Sequence, residues 1–148
     1  MISQTAEYAL RAMVCLAQQP DQAQTTQQIA EQTRVRPAYL SKVLQALGRA
    51  GLVQAQRGIH GGFELVRSPD QVSILEVINA VDPFKRIQTC PLGIPSHGNS
   101  LCALHRKIDN AMGQIEEAFG STSLQQLLDE DLPSPPLCPV RIGSDKRP

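Results

Sequence analysis

The chain has 148 residues, which is enough for one domain with a single core and an appended helix, but too few for two large domains. Fourteen Lys and Arg residues balance fourteen Asp and Glu residues, and this zero net charge argues against binding of nucleic acid through bulk positive charge. Aromatic residues make up 3% of the chain and Trp is absent, which favours helices packed through aliphatic residues over base-stacking platforms.

The first part of the chain predicts three helices. Apolar residues spaced by three and four predict a helix over residues 5–19, and Thr25 or Thr26 can cap a short second helix that continues through Gln32. Pro37 suits the first turn of a third helix, and two glycines mark the end of this helix. The inner side of this third helix is apolar, and its outer side is polar and basic.

Residues 52–66 change to the alternating pattern of strands, with a glycine-rich turn over residues 57–62 between the two arms. This pattern predicts a two-stranded hairpin. Ser73 can cap a fourth helix over residues 74–81. Residues 85–100 contain prolines and glycines at scattered positions and predict a loop.

A longer helix is predicted from Leu101, with apolar residues that recur at alternating steps of three and four until Ala118. This spacing is typical of a contact between two helices, although the stripe covers only about two and a half heptads. The alternative is that the stripe packs on the protein's own core. Residues 121–123 can cap a last short helix, and the prolines after residue 131 predict a disordered tail.

Three helices followed by a glycine-tipped hairpin are the element order of a winged helix-turn-helix. In that fold the third helix enters the major groove and the wing lies along the DNA backbone or in the minor groove. Between residues 34 and 67 the chain has six basic residues and one acidic residue, a local charge of +5. The zero net charge therefore conceals a basic segment where this fold meets phosphates. The alternative is an ordinary solvated surface.

The third helix and the wing supply the predicted DNA contacts. Lys42 and Gln45 point outward from the helix and can reach base edges, where Gln matches adenine. Further contacts, mainly to phosphates, are predicted for Arg36, Tyr39, Ser41, Arg49, Arg57, Gly58, His60 and Gly61. Glycines let the wing tip approach the sugar-phosphate chain closely, but an ordinary hairpin turn has the same composition.

Cys90, Cys102 and His105 form a second group of candidate site residues. Cys102 and His105 are spaced i, i+3 at the start of the long helix, so both can face one ion, and Cys90 would arrive from the preceding loop. Sulfur and imidazole suit zinc or an iron-sulfur cluster. The alternative is a buried thiol and an ordinary helix histidine. Cys15 is predicted to pack in the core, and Cys138 lies in the tail without an expected structural role.

Several classes of protein lack support. No apolar run approaches the roughly 20 residues that span a bilayer, and no signal peptide is apparent, so we expect a cytoplasmic protein without a membrane partner. Four cysteines do not make the disulfide framework of a small secreted domain. A small thiol or metal enzyme is disfavoured, because the chain has neither a Cys-x-x-Cys motif nor a Walker-type phosphate loop.

Four segments of the chain carry a resemblance to a known family. They are residues 7–12 (EYALRA), 39–53 (YLSKVLQALGRAGLV), 57–65 (RGIHGGFEL) and 74–81 (ILEVINAV). In these segments the chain resembles the Rrf2 family of bacterial transcription regulators, in register over roughly residues 1–130. The resemblance implies a mainly α, winged helix-turn-helix fold with a small two-stranded β wing. It also implies a homodimer joined by a long C-terminal dimerisation helix, with a double-stranded DNA operator as its partner.

Cluster-binding members of the family are similar in carrying three cysteines in the loop before the long helix. By that match Cys90 and Cys102 correspond to the first and third cysteines and His105 to a following histidine, but no middle cysteine exists here. Some relatives use a carboxylate from the partner's first helix, and Glu7 stands at the matching position. The resemblance therefore implies a [2Fe-2S] cluster held by Cys90, Cys102, His105 and the partner subunit's Glu7. The alternative for Glu7 is an i,i+4 pair with Arg11.

The predicted organisation has four parts: a DNA-binding domain over residues 1–84, a sensor loop over 85–100, a dimerisation helix and short terminal helix over 101–130, and a proline-rich tail over 131–148. The expected function is a regulator that senses redox state, nitric oxide or iron-sulfur status. A change in the loop would alter the spacing of the two recognition helices, which must lie about one DNA turn, ~34 Å, apart. The alternative is a metal-free regulator of the same fold that uses a thiol switch or a protein partner.

Overall fold

The computed structural model describes residues 2–134 and 136–137. The helices and strands follow one another in the order α1 (Gln4–Ala17), α2 (Thr26–Thr33), α3 (Pro37–Arg49), β1 (Val53–Gln56), β2 (Gly62–Leu65), α4 (Ile74–Val81), α5 (Ala103–Gly120) and α6 (Leu124–Asp129). The two strands pair antiparallel. The predicted fold, a mainly α winged helix-turn-helix with a two-stranded wing and a long C-terminal helix, is confirmed.

Short polar residues cap the helices where the sequence predicts their starts. Thr25, Ser73 and Ser123 each accept a hydrogen bond from a backbone N–H three residues later. At each of these caps the backbone N–H of the cap residue donates to a side-chain oxygen of the Gln or Glu three residues later. Such capping boxes involve only residues that are close in the chain, which explains why the sequence predicts these starts well.

α1 lies at the centre of the fold and contacts α2, α3, α4, α6 and β2. Its buried side is formed largely by small residues, since Ala6, Ala9 and Ala12 are fully buried. Small side chains allow neighbouring helices to approach closely. The core continues into α3 through Leu44 and Leu47, which are also fully buried.

α6 returns to this core and does not extend the long helix. Leu124 is fully buried. The backbone N–H of Leu124 donates to Val72 at 2.9 Å, and that of Ile74 donates to Thr122 at 3.0 Å. The predicted 101–130 unit therefore contains two different parts, because α6 enters the core through Leu124, whereas α5 contacts α4 without burying a residue of its own.

α5 contains no buried residue in the single chain. Leu104 and Ile108 on its apolar stripe are 64% and 42% exposed. Its C-terminal end is anchored by Phe119, which packs against the buried Ile74 and Ile78 of α4. The stripe therefore does not pack on the protein's own core, and it remains accessible to a second chain.

Arg86 fastens the start of the loop over residues 85–100 to α5. Its guanidinium donates to both carboxylate oxygens of Asp109 at 2.7 and 2.8 Å and to Glu116 at 3.1 Å. The backbone N–H of Ile87 also donates to Asp109, at 2.8 Å. The group lies across Gly113, where a Cβ would approach the guanidinium to 2.8 Å. The hydrogen bonds from Arg86 and Ile87 favour the carboxylate and hold the pKa of Asp109 below its ordinary value.

The described part of the predicted tail forms neither helix nor strand. Leu137 packs against the core, and the Gln18 amide donates to the carbonyl of Pro136 at 2.9 Å. The predictions for Cys138 and the remainder of the tail lie outside the described residues. Within the part of the chain that the structure describes, no helix has both the length and the apolar character to cross a membrane.

Protonation of Asp109 should loosen the attachment of the loop. Because its pKa is lower in the folded chain, the carboxylate stabilises the fold above the ordinary Asp pKa of about 3.9, and this contribution is lost as the pH falls through the folded value. We expect Asp109→Asn to lower the thermal unfolding midpoint at neutral pH and to flatten its decrease in acid, as measured by circular dichroism. Asp70→Asn, at an exposed position, is the control. An unchanged pH profile in Asp109→Asn would contradict the prediction.

Candidate nucleic-acid interface and sensor site

α3 separates its apolar and polar residues onto opposite sides. The buried side consists of Leu40, Val43, Leu44 and Leu47. Lys42, Gln45 and Arg49 are exposed, so the two predicted base-reading side chains lie in solvent on one helix. Ser41 is half-buried, and its hydroxyl donates to the carbonyl of Pro37 at 3.0 Å. Its oxygen can still accept a further hydrogen bond.

The first turn of α3 is braced against α1. The Tyr39 hydroxyl lies 2.6 Å from the Thr5 hydroxyl oxygen. The ring of Tyr39 meets that of Tyr8 edge to face, with 5.3 Å between centroids. Arg36 occupies the N-cap position but forms no side-chain capping hydrogen bond. α1 therefore fixes the start of α3 while the Arg36 side chain stays exposed.

The wing is fixed to the chain segment that precedes α2. Gln24 and Phe63 exchange two backbone hydrogen bonds of 2.7 and 2.9 Å, so this segment adds to the sheet of β1 and β2. Gly62 has a φ of +146°, and a Cβ at this position would collide with the Gln24 backbone. Only glycine meets both requirements. The contact sets the orientation of the wing relative to α2.

The tip of the wing lies in solvent. It carries four predicted contact residues, which are all exposed apart from the half-buried Gly61: Arg57, Gly58, His60 and Gly61. Ile59 is 99% exposed. Glu64, the only acid of the basic segment, accepts hydrogen bonds from Gln54 and Gln56 at 2.7 and 2.6 Å. These contacts hold Glu64 in the hairpin without linking it to a cation.

Most cations of the basic segment have no acidic neighbour. Arg67 is paired with Glu76 at 2.6 Å. Among the described residues, no ion pair within 4 Å involves the other five basic side chains, which are Arg34, Arg36, Lys42, Arg49 and Arg57. These five belong to α3, the turn before it and the wing. Their charge therefore remains available to an anionic ligand.

Cys15 has a structural role in the core. It is fully buried, and burial raises the pKa of its thiol to about 11, which keeps the sulfur protonated. The sulfur lies 3.1 Å from the side-chain oxygen of Gln32 and 3.3 Å from that of Gln24. The Gln24 amide donates in turn to the Cys15 carbonyl at 3.1 Å. Cys15 therefore packs in the core as predicted and also joins α1 to α2 and the wing.

Cys90 is buried within the loop over residues 85–100 and lies beside His97. The backbone N–H of Ile94, the His97 ring and the backbone N–H of Leu92 favour the thiolate, so the pKa of Cys90 lies below its ordinary value. The Nδ1 atom of His97 is buried and has no hydrogen-bond partner in the described part of the chain. His97 is not among the site residues predicted from the sequence, although it lies in the same loop as Cys90.

Cys102 occupies the N-cap position of α5, and its sulfur lies 3.3 Å from Nδ1 of His105. The i, i+3 spacing thus brings this pair together. Within residues 2–134 and 136–137, however, no three His, Cys, Asp or Glu side chains are grouped so that they could hold a metal ion. The single chain presents two Cys–His pairs. Their thiols, imidazoles and one unpartnered ring nitrogen fit the ligand chemistry of iron or zinc, but they do not form one assembled centre.

Glu7 forms the helix pair that was the alternative to a ligand role. Its carboxylate lies 3.0 Å from the Arg11 guanidinium in the i,i+4 arrangement. Arg11 also covers the Tyr8 ring at 5.5 Å and donates to the Thr33 carbonyl at 3.3 Å. The Glu7 side chain is 46% exposed, so a second protomer can still reach it.

Comparison with known proteins identifies relatives over most of the chain. A family model described as "Rrf2: Iron-dependent Transcriptional regulator" matches residues 2–130. A protein described as an HTH-type transcriptional regulator in Aquifex aeolicus (strain VF5) is 27% identical over 132 residues, which cover 87% of this chain and 92% of that protein. The HTH-type transcriptional regulator slr0846 of Synechocystis sp. (strain ATCC 27184 / PCC 6803 / Kazusa) is 40% identical over 76 residues, or 51% of this chain and 52% of that protein.

Solved structures share the fold. CymR (YrzC), the global cysteine regulator of B. subtilis, superposes with a TM-score of 0.73 at 24% identity and covers 86% of this chain and 95% of its own. T. potens IscR superposes with a TM-score of 0.72 at 24% identity and covers 86% of this chain and 85% of its own. At this identity the similarity establishes the fold alone.

Proposed function

The chain belongs to the Rrf2 family of transcriptional regulators, and we propose that it is a homodimer that binds a double-stranded DNA operator in a sequence-specific manner. The observation that carries this proposal is the group of five cations without acidic neighbours on α3, the preceding turn and the wing. These are the elements with which a winged helix-turn-helix contacts DNA. Both relatives carry the description of an HTH-type transcriptional regulator, which favours a regulator over an enzyme.

The proposed contacts divide by chemistry. Lys42 and Gln45 read base edges, because both are exposed on the outer side of α3. The phosphate contacts come from the polar and basic residues along α3 and from the wing tip, namely Arg36, Tyr39, Ser41, Arg49, Arg57, Gly58, His60 and Gly61. The first group determines which sequence is bound, and the second holds the protein in register on the duplex.

Substitutions on α3 and the wing should have different effects. Lys42→Ala and Gln45→Ala should each weaken specific binding by ~1–3 kcal/mol, whereas Arg57→Ala should weaken binding to every sequence and reduce the salt slope by about one. Fluorescence anisotropy with a duplex selected from a random library, and with a shuffled duplex, measures both quantities at several salt concentrations. Arg67→Ala serves as the control, since Arg67 is paired with Glu76. Unchanged binding in all three variants would contradict the proposed interface.

The apolar stripe of α5 is the proposed dimer contact. Leu104 and Ile108 are exposed, and the helix buries none of its residues in the single chain. Two α5 helices that pack along this stripe would remove it from water, which is favourable. They would also set the distance between the two α3 helices, which must match the ~34 Å repeat of DNA half-sites.

A charged stripe should prevent dimer formation. We expect the double substitution Ile108→Glu and Ile115→Glu to yield a monomer in sedimentation velocity experiments, with retained helical circular dichroism and reduced operator affinity, because one protomer cannot bind two half-sites. Asn110→Glu with Gln114→Glu adds the same charge at exposed polar positions and should remain dimeric. A monomeric wild-type protein would refute the dimer proposal.

The loop between Cys90 and Cys102 is the proposed sensor, with a [2Fe-2S] cluster as the favoured occupant. Its ligands in the dimer would be Cys90, Cys102, His105 and the partner subunit's Glu7. Support comes from the iron-dependent description of the family and from the thiol and imidazole donors of the loop. His97, with its unpartnered Nδ1, is an alternative fourth ligand from the same chain. The cluster would supply a one-electron redox centre.

A metal-free thiol switch is the second candidate, and a different observation favours it. Cys90 and Cys102 lie beside different histidines, and the surroundings of Cys90 favour its reactive thiolate. A peroxide-type oxidant would accept two electrons and two protons while the two thiols form a disulfide. The disulfide would draw the two ends of the loop together, and no metal would be needed.

A change in the cluster and the formation of a disulfide would both act through α5. Cys102 is the N-cap residue of α5, and Arg86 attaches the start of the loop to Asp109 and Glu116 of α5. A rearranged loop would therefore shift α5 and with it the separation of the two α3 helices. The signal can change operator affinity only if it favours one of two such arrangements over the other.

Iron content and visible absorption of anaerobically purified protein distinguish the two sensors. The cluster predicts coloured protein with iron close to one cluster per chain, lost in Cys90→Ala and Cys102→Ala. Loss of iron in Glu7→Ala or in His97→Ala identifies the fourth ligand. Colourless protein whose operator affinity changes with peroxide and recovers with dithiothreitol supports the thiol switch. Protein that shows neither response would contradict a sensor role for the loop.

A further inference from the structure

We propose that a basic pocket beside the turn between α2 and α3 binds one phosphate of the DNA backbone. This inference rests on the proposed function and adds a contact to it. The pocket has a volume of about 380 Å³ and is lined by Gln4, Tyr8, Arg34, Arg36 and Tyr39. It therefore combines the start of α1 with the turn that leads into α3. Arg34, Tyr8 and Gln4 do not belong to the contacts described above.

The lining of the pocket suits an anion. Neither Arg34 nor Arg36 forms an ion pair within the described residues, and no Asp or Glu lines the pocket. Arginine presents a planar set of donors that matches the oxygens of a phosphate. Tyr8 and Tyr39 add hydroxyl groups, and Gln4 adds an amide. A cation would find no carboxylate here, whereas a phosphate would find two guanidinium groups.

Arg34 occupies a backbone position that disfavours arginine. It is the C-cap of α2, with φ 57° and ψ 35° in the left-handed region. Glycine adopts this conformation readily, whereas the Cβ of other residues approaches the following carbonyl oxygen. Glycine would therefore end α2 better than arginine. The guanidinium in the pocket supplies a reason for arginine at this position.

The position of the pocket favours a backbone phosphate over a base. Tyr39 lies in the first turn of α3, the end of the helix that contains Lys42, and its hydroxyl is held 2.6 Å from Thr5. When a recognition helix enters the major groove, the phosphates on either side flank its N-terminal turn. A phosphate held there would fix the register of α3 without reading sequence. Free inorganic phosphate has the same chemistry, so the experiment must separate the two sources.

Arg34→Gly tests the pocket, because it should change stability and binding in opposite directions. In the full-length protein we expect a higher thermal unfolding midpoint, since the left-handed strain is relieved. Affinity for a random-sequence duplex of about 30 base pairs should fall several-fold, and the salt slope should fall by about one. Arg36→Gln should weaken binding similarly. Arg67→Gln removes the same charge outside the pocket and should retain the wild-type slope.

Inorganic phosphate identifies the occupant. If it raises the unfolding midpoint of the wild type and not that of Arg34→Gly, while both bind the duplex equally, the pocket holds a free anion and the DNA proposal is overturned. Equal duplex affinity and salt slope in wild type and Arg34→Gly, with no effect of phosphate, eliminates the site altogether. A wild-type protein that binds no duplex refutes DNA binding itself, whereas the preceding outcomes leave DNA binding intact.

Discussion

The packing of α1 is the constraint on which the other elements depend. Because Ala6, Ala9 and Ala12 present small side chains, α1 can lie at the centre of the fold and contact α2, α3, α4, α6 and β2. At its first turns it braces α3 through the contact between Tyr8 and Tyr39. Through Cys15 it reaches the glutamines that connect α2 to the wing. The two surfaces proposed to bind DNA are thus both attached to α1.

Charged side chains are distributed unevenly over the elements that pack around α1. Among the described arginines, ion pairs are formed by Arg11, Arg67 and Arg86, and each has a structural partner that fastens a helix or a loop. The five cations of α3, its preceding turn and the wing tip form no ion pair in the described structure. A zero net charge is therefore compatible with a strongly basic surface. It disfavours indiscriminate attraction to DNA, so the proposed operator binding would depend on how the proposed dimer holds its two basic surfaces.

In the single chain α5 buries none of its residues. α5 is joined to the rest by Arg86 and by the packing of Phe119 at its end, while its apolar stripe faces solvent. α6 behaves differently, because Leu124 is buried in the core. The loop with Cys90 and the N-cap residue Cys102 therefore connects α4, which packs in the core, to α5, whose apolar stripe is exposed. A change in that loop would act on the helix that forms the contact between chains in the proposed dimer.

The sequence by itself determined the helix starts, the hairpin, the basic segment and the Cys102–His105 pair, because capping, periodicity and i, i+3 spacing act between residues close in the chain. It also supplied the family resemblance, which the match over residues 2–130 confirms. Only the tertiary structure decided that Leu124 joins the core, that Arg86 holds α5, and that Arg34 shares a pocket with Tyr8. These contacts join residues that are far apart in the chain, and a local sequence pattern does not predict which distant residues meet. His97 beside Cys90 belongs with them, because its role depends on the path of an irregular loop.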